Sequence, residues 1–319
     1  MLDIFLYSVN SVVPIFIVVV LGWVINKTGF LDQAFFSGAD KFVFNFALPA
    51  MLFIDFARMD SIPEFDFGFV LFVCCAVVIV FVVLCLTVPL VIKDNAKRGA
   101  FIQGVYRANF AILGASILKN MFGDDAVPHL ALIMPAAVIF FNVLAVVVLS
   151  MFAPADKKES PGVLVKNIII NILKNPLIIA LVLGVIVMLL PFRLPELVLK
   201  PVSYFSDATL ALALVSLGAN IDLEKLKKTL KMSIFASFLK TVAVPAAAVS
   251  VAVIMGFRGV QLGTIFIVFG SPTAVSSYIM AKNMGSDYTL ASQILLLSTL
   301  MSLFTLFGGI FLIKSLGLI

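Results

Sequence analysis

Charge is scarce in this chain. Of 319 residues only 12% are Asp, Glu, Lys or Arg, while 62% are hydrophobic; an ordinary soluble domain carries about 25% charge. Such a chain cannot cover a core with polar surface in water. Histidine is reduced to His129, at a loop boundary, so no histidine metal cluster or proton relay is expected. The three cysteines, Cys74, Cys75 and Cys85, fall in one apolar run and read as small core hydrophobes, with no disulfide or metal role. There is no D-x-x-D run and no nucleophile with a base beside it, so embedded transferase or protease chemistry has nothing to work with. Neither an enzyme nor a cofactor is expected. The first apolar run lacks a basic segment before it and a small-residue cleavage site after it, so it should be a retained span.

What is abundant is long apolar sequence. Runs repeatedly reach the roughly 20 residues that cross a bilayer as a helix, and in hydrocarbon only a helix satisfies every backbone amide within so long a segment. Barrel strands would be half as long and would alternate in polarity. The expected fold is an all-α polytopic membrane protein with ten spans, at about 9–26, 38–56, 67–92, 99–121, 127–152, 168–191, 203–221, 232–255, 260–282 and 287–314. The net charge of +5 sits mainly on loop lysines, which points to membrane topology and not to nucleic acid. The odd-numbered connections hold 14 Lys and Arg against 6 for the even ones and the tail. By the positive-inside rule the odd connections are cytoplasmic, and both termini lie outside the cytoplasmic membrane.

The chain also repeats itself. K-N-M recurs at Lys119 and Lys282, P-x7-G at Pro14 and Pro176, and R-G at Arg98 and Arg258, in the same order at offsets of 160 to 163. The longest polar connection, Ala153 to Gly162, lies between the copies. This gives a first five-helix repeat over 1–155, a connection over 156–167 and a second repeat over 168–319. An odd number of spans per repeat inverts the second copy, the arrangement that alternating-access carriers use. In such carriers the site lies in paired interrupted helices. Span four holds Arg107, Asn109, Gly114 and Ser116; span nine holds Gly270, Ser271, Pro272, Thr273, Ser276 and Ser277. An interior proline removes an amide and clashes with the preceding turn, so span nine should break at Pro272. Amides exposed at broken helix ends attract anions.

The stretches F-A-L-P-A-M-L-F (Phe46 to Phe53), R-A-N-F-A-I-L-G (from Arg107) and S-P-T-A-V-S-S-Y (from Ser271) resemble the auxin efflux carrier family, over essentially the whole chain. The resemblance implies a scaffold domain and a core domain with crossing broken helices, similar to bile-acid transporters and sodium/proton antiporters. It further implies a small organic anion as substrate, such as malonate or malate in bacterial members. Asn109, Gly114 and Pro272 match the family pattern. Ala115 and Ser116 stand where the family often has proline, which leaves the break in span four without its usual residue.

Arg107 is the leading candidate for the substrate carboxylate, since a buried guanidinium is costly and its fork fits a carboxylate. Asn109, Ser271, Thr273, Ser276 and Ser277 would orient the ligand, with Pro272 shaping the site. Asn45 with Pro49, and Gly218 with Asn220, are expected in the cavity wall. Asp55, Asp207 and Lys240 are the coupling candidates, for a proton or sodium. A homodimer is possible. The expected function is secondary transport of a small mono- or dicarboxylate; a non-transporting sensor of the same fold and an uncoupled uniporter or channel are the alternatives.

Overall fold

The computed structural model describes residues 2–59, 66–110, 117–118, 121–122, 126–153, 161–190, 192–221 and 223–319. Among them there are helices and no strands. In chain order these are α1 (Leu2–Lys27), α2 (Gln33–Phe42), α3 (Leu48–Ala57), α4 (Phe67–Val91), α5 (Asn95–Tyr106), α6 (Ala126–Met151), α7 (Pro161–Lys174), α8 (Pro176–Met188), α9 (Glu196–Ala219), α10 (Leu223–Phe238), α11 (Val244–Ile254), α12 (Gly259–Gly270), α13 (Val275–Asn283) and α14 (Tyr288–Ser315).

Among the described residues, six stretches are long and apolar enough to cross a membrane: Phe67–Val91, Leu132–Met151, Glu196–Ala219, Lys227–Ile254, Gly259–Asn283 and Tyr288–Ser315. Val13–Lys27 and Pro176–Met188 are shorter apolar helices. Four of the 17 carboxylates sit at helix starts: Asp32, Asp66, Asp94 and Asp287 each accept a hydrogen bond from an amide of the first turn. A side-chain oxygen there satisfies one of the orphan amides.

Prolines set the local departures. Pro49 and Pro245 each follow a single π turn, Val43–Ala47 and Leu239–Ala243. The wider turn relieves the clash of the ring with the carbonyl four residues back, so both spans continue through their prolines. Pro176 acts differently. A residue before proline is pushed out of α geometry, and Asn175 (ψ 123°) ends one helix and caps the next. The expected span 168–191 is therefore two pieces, α7 and α8. The expected span 203–221 begins earlier, at Glu196, and runs through Pro201.

Two bundles are recognisable from which helices pack together. In the first, α1 lies along α9, and α3 lies along α8 and α9. In the second, α4, α5 and α6 pack on one another, and α14 packs on α5, α10, α12 and α13. The α1–α9 crossing is a backbone contact. A Cβ on Gly22 would lie 2.2 Å from the Val215 carbonyl oxygen, and one on Gly218 would lie 1.9 Å from that of Val19. Gly218 is thus a packing residue against α1 and takes no part in the cavity wall. Asn220, beside it, donates to the Ser216 carbonyl at 2.7 Å.

Candidate functional site at the crossing of two broken helices

Of the six long apolar stretches among the described residues, the one formed by α12 and α13 is the most enclosed: its most apolar part is 94% buried, against 33–50% for the other five. Irregular backbone at membrane depth is tolerated only where protein or water covers it, and this is where the irregularity sits. Helix α12 ends at Gly270, Ser271 turns extended (φ −61°, ψ 146°), and the chain re-enters helix at Val275. Gly270, Ser271 and Pro272 in succession predict that break. Its polar groups find partners. Ser271 N–H and Oγ both donate to the Ile267 carbonyl, Thr273 N–H donates to Ser298 Oγ at 3.2 Å, and Pro272 has no amide to place.

The partner break is in α5, which stops at Tyr106; residues 107–109 are not helical. This is eight residues before Ala115. Gly114, Ala115 and Ser116, with Lys119 of the repeated K-N-M, lie outside the described residues. No proline or glycine forces the break at Arg107. Tertiary hydrogen bonds replace the ones the helix gives up. The Thr273 hydroxyl donates to the Gly104 carbonyl, which Ala108 N–H would have used, and Asn109 N–H donates to the Pro272 carbonyl at 2.8 Å. Gln103 Nε2 adds a bond to the Ser277 carbonyl at 3.3 Å. The two breaks are therefore joined backbone to backbone.

Against this crossing lies a cavity of about 50 Å³, lined by Leu48 and Met51 of α3, Thr209, Leu210 and Ala213 of α9, and Asn109, Ala274, Val275 and Ser276 of the breaks. It sits where the two bundles meet. Ligand pockets for organic molecules usually have some 300–1,000 Å³, so this cavity has room for little more than water.

The sequence candidates divide. Asn109 and Ser276 line the cavity. Ser271, Thr273 and Ser277 are buried beside it, the first two with hydroxyls committed to backbone carbonyls and Ser277 Oγ without a hydrogen-bond partner among the described residues. Pro272 shapes the break. Arg107, 4% exposed, is not in the lining; its guanidinium donates at 2.7 Å to Asn142 Oδ1 of α6 and at 2.7 Å to Met280 Sδ of α13. Pro49 is buried one residue from Leu48, whereas Asn45 is exposed and donates to Lys41 O at 2.8 Å, outside the cavity. Asp55 and Asp207 are both exposed, on α3 and α9. Lys240 is wholly buried, with Nζ 2.9 Å from the Phe269 carbonyl. His129 stacks edge-on against Phe69. Among the described residues no three of His, Cys, Asp or Glu gather as metal ligands.

Several participants escaped the sequence reading. Asn142 had a usable signal, an isolated amide in an otherwise apolar helix. Thr209, Leu210 and Ala213 had none, because only the fold turns that face of α9 toward the crossing. The same holds for Asp40 of α2, which pairs with Lys282 of α13 and accepts from Ser216 Oγ of α9 at 2.5 Å.

Comparison with known proteins gives this architecture a family. Residues 7–309 match the family described as membrane transport protein, Mem_trans. An uncharacterized transporter of Methanocaldococcus jannaschii is 24% identical over 304 residues, covering 92% of this chain and 95% of that one. A protein of Rhizobium meliloti named "Putative malonate transporter" is 24% identical over 314 residues, 95% of each chain. A second archaeal relative, an uncharacterized transporter of Methanothermobacter thermautotrophicus, is 22% identical over 310 residues, 95% of this chain and 97% of its own. With a match that spans nearly its whole length and six long apolar helices to carry it through a bilayer, the chain is a multi-pass membrane transporter and belongs to the Mem_trans family, the auxin efflux carrier family.

Proposed function

We propose that the protein is a secondary carrier of a small organic anion, working by alternating access, with ten spans as two inverted five-helix repeats. The observation that carries this reading is the Asn109 N–H to Pro272 O bond. The two residues are 163 positions apart, the same offset that relates Lys119 to Lys282. Equivalent residues of two copies meet only on the axis relating the copies, as at an isologous interface. The contacts of the first bundle support the same axis. Gly22 packs on Val215 and Gly184 packs on Phe53, and an offset of 162 carries Gly22 to Gly184 and Phe53 to Val215. The first bundle would be the scaffold and the second the moving core, with the cavity on the plane between them.

Charge favours an anion. Arg107 and Lys240 are both buried, and their described partners are an amide oxygen, a thioether and a backbone carbonyl. A buried charge attracts an opposite one through its field without touching it. Arg107 then acts on a carboxylate at Asn109 through its field, while the side chain holds α6 and α13 in place. The name of the Rhizobium relative makes malonate the first substrate to test. The charge bias of the connections supports a place in the cytoplasmic membrane with both termini outside.

The test is counterflow of radiolabelled malonate, with malate and monocarboxylates as competitors, in proteoliposomes holding the purified protein. Saturable counterflow is expected. Asn109→Ala should lower it at least tenfold with an unchanged melting temperature, because the side chain lines the cavity and only its backbone is structural. Arg107→Gln should also lower it, with a modest loss of stability from the lost charged hydrogen bonds, about 1.5–3 kcal/mol. Undiminished counterflow by Asn109→Ala would overturn the site. Binding without flux would make the protein a sensor, and non-saturable flux a channel.

A further inference from the structure

Helix α12 ends inside the protein, and a helix end there presents partial negative charge of about half an electron on its free carbonyls. In carriers built from broken helices, such enclosed carbonyl ends are where coupling cations bind. Here the place is taken. Lys240 Nζ lies 2.9 Å from the carbonyl of Phe269, in the last turn of α12, and the side chain is 0% exposed. That carbonyl is its one hydrogen-bond partner among the described residues. Lys240 lies within the π turn Leu239–Ala243 that precedes Pro245. An extra residue in a helical turn swings the neighbouring positions by about 100°, so the turn both accommodates the proline and sets the direction in which the lysine leaves α10.

We infer that Lys240 is a built-in monovalent cation: its ammonium occupies the carbonyl end of α12 where a carrier of this architecture would otherwise hold an alkali cation, and the protein neither binds nor needs one there. The inference deepens the carrier reading above. A lysine serving only as packing would bury its stem and carry its head to water; this one delivers its head to a broken helix in the most enclosed span. The consequence is a transporter whose crossing is assembled without sodium and whose flux does not follow a sodium gradient.

Melting of the purified full-length protein tests this without any substrate. Sodium, lithium, potassium and choline chlorides are compared at equal ionic strength. The wild type should melt at one temperature in all four. Lys240→Ala, which removes the ammonium and leaves a space, should melt lower in choline and recover by about 5 °C in saturating sodium or lithium. Lys240→Met, which fills the space with an apolar chain, should stay low in every salt. A wild type stabilised by sodium over choline overturns the inference, as does a folded Lys240→Ala that ignores all alkali cations. If Lys240→Ala does not fold, the wild-type comparison still decides, together with malonate counterflow in sodium-free choline medium, where a sodium requirement overturns it. Absence of counterflow alongside the expected melting pattern would refute carriage and leave the cation assignment standing.

Discussion

Lys282→Met is expected to lower the stability of the protein by about 3–5 kcal/mol, the usual result of stranding one partner of a buried ion pair. Asp40 is 2% exposed and takes three groups: Lys282 Nζ and Ser216 Oγ on its carboxylate, and Asn283 Nδ2 on its backbone carbonyl. Without the ammonium, the charge of a carboxylate whose side chain is 2% exposed would rest on one hydroxyl. The change should appear as a fall in melting temperature on the order of 10 °C. Adding Asp40→Asn to Lys282→Met should restore most of it, because a neutral pair of similar volume carries no desolvated charge. A double variant as unstable as the single one would show that the loss is packing and not charge. The pair joins α2, which packs on α9 of the first bundle, to α13 in the second, and α13 begins at the cavity with Val275 and Ser276. In an alternating-access cycle this contact is one that the moving bundle must release, so the double variant is also expected to exchange faster between its two states, read by labelling a cysteine placed at Ser276.

The second large effect is expected from Gly218→Val. The new Cβ would fall 1.9 Å from the Val19 carbonyl oxygen, a backbone atom that cannot swing away. Gly22 meets Val215 in the reciprocal way, so neither helix has slack to yield. Overpacking in well-filled interiors typically costs 1–3 kcal/mol and occasionally more; with backbone against backbone, about 3 kcal/mol or more is expected, seen as loss of monodisperse protein on extraction. Gly308→Ala is the control. Nothing lies within 4 Å of a Cβ there, and exchanging a helical glycine for alanine should add stability, about 0.5–1 kcal/mol. Equal behaviour of the two variants would mean that the α1–α9 contact is looser than described.

These two cases separate what could be read in the sequence from what could not. Long apolar runs were legible because hydrocarbon leaves the backbone a single solution, and the break at Pro272 was legible because proline acts on its own helix. The break at Arg107 was not. Its cause is the Thr273 hydroxyl and the Pro272 carbonyl, more than 160 residues away, so the local sequence Y-R-A-N holds only half of the instruction. Arg107 reads from sequence as a costly charge, but its direction toward Asn142 and Met280 depends on how α6 and α13 pack. Asp40 and Lys282 read as ordinary charges near helix ends; nothing in either neighbourhood indicates a partner 242 positions distant.

The enclosure of α12 and α13 has a pharmacological side. A greasy inhibitor that dissolves in the bilayer and drifts sideways would meet α11, α14 and their neighbours, and never the crossing itself. Blockers of this protein should therefore have to arrive through water, and their potency should follow aqueous concentration and not partitioning into lipid.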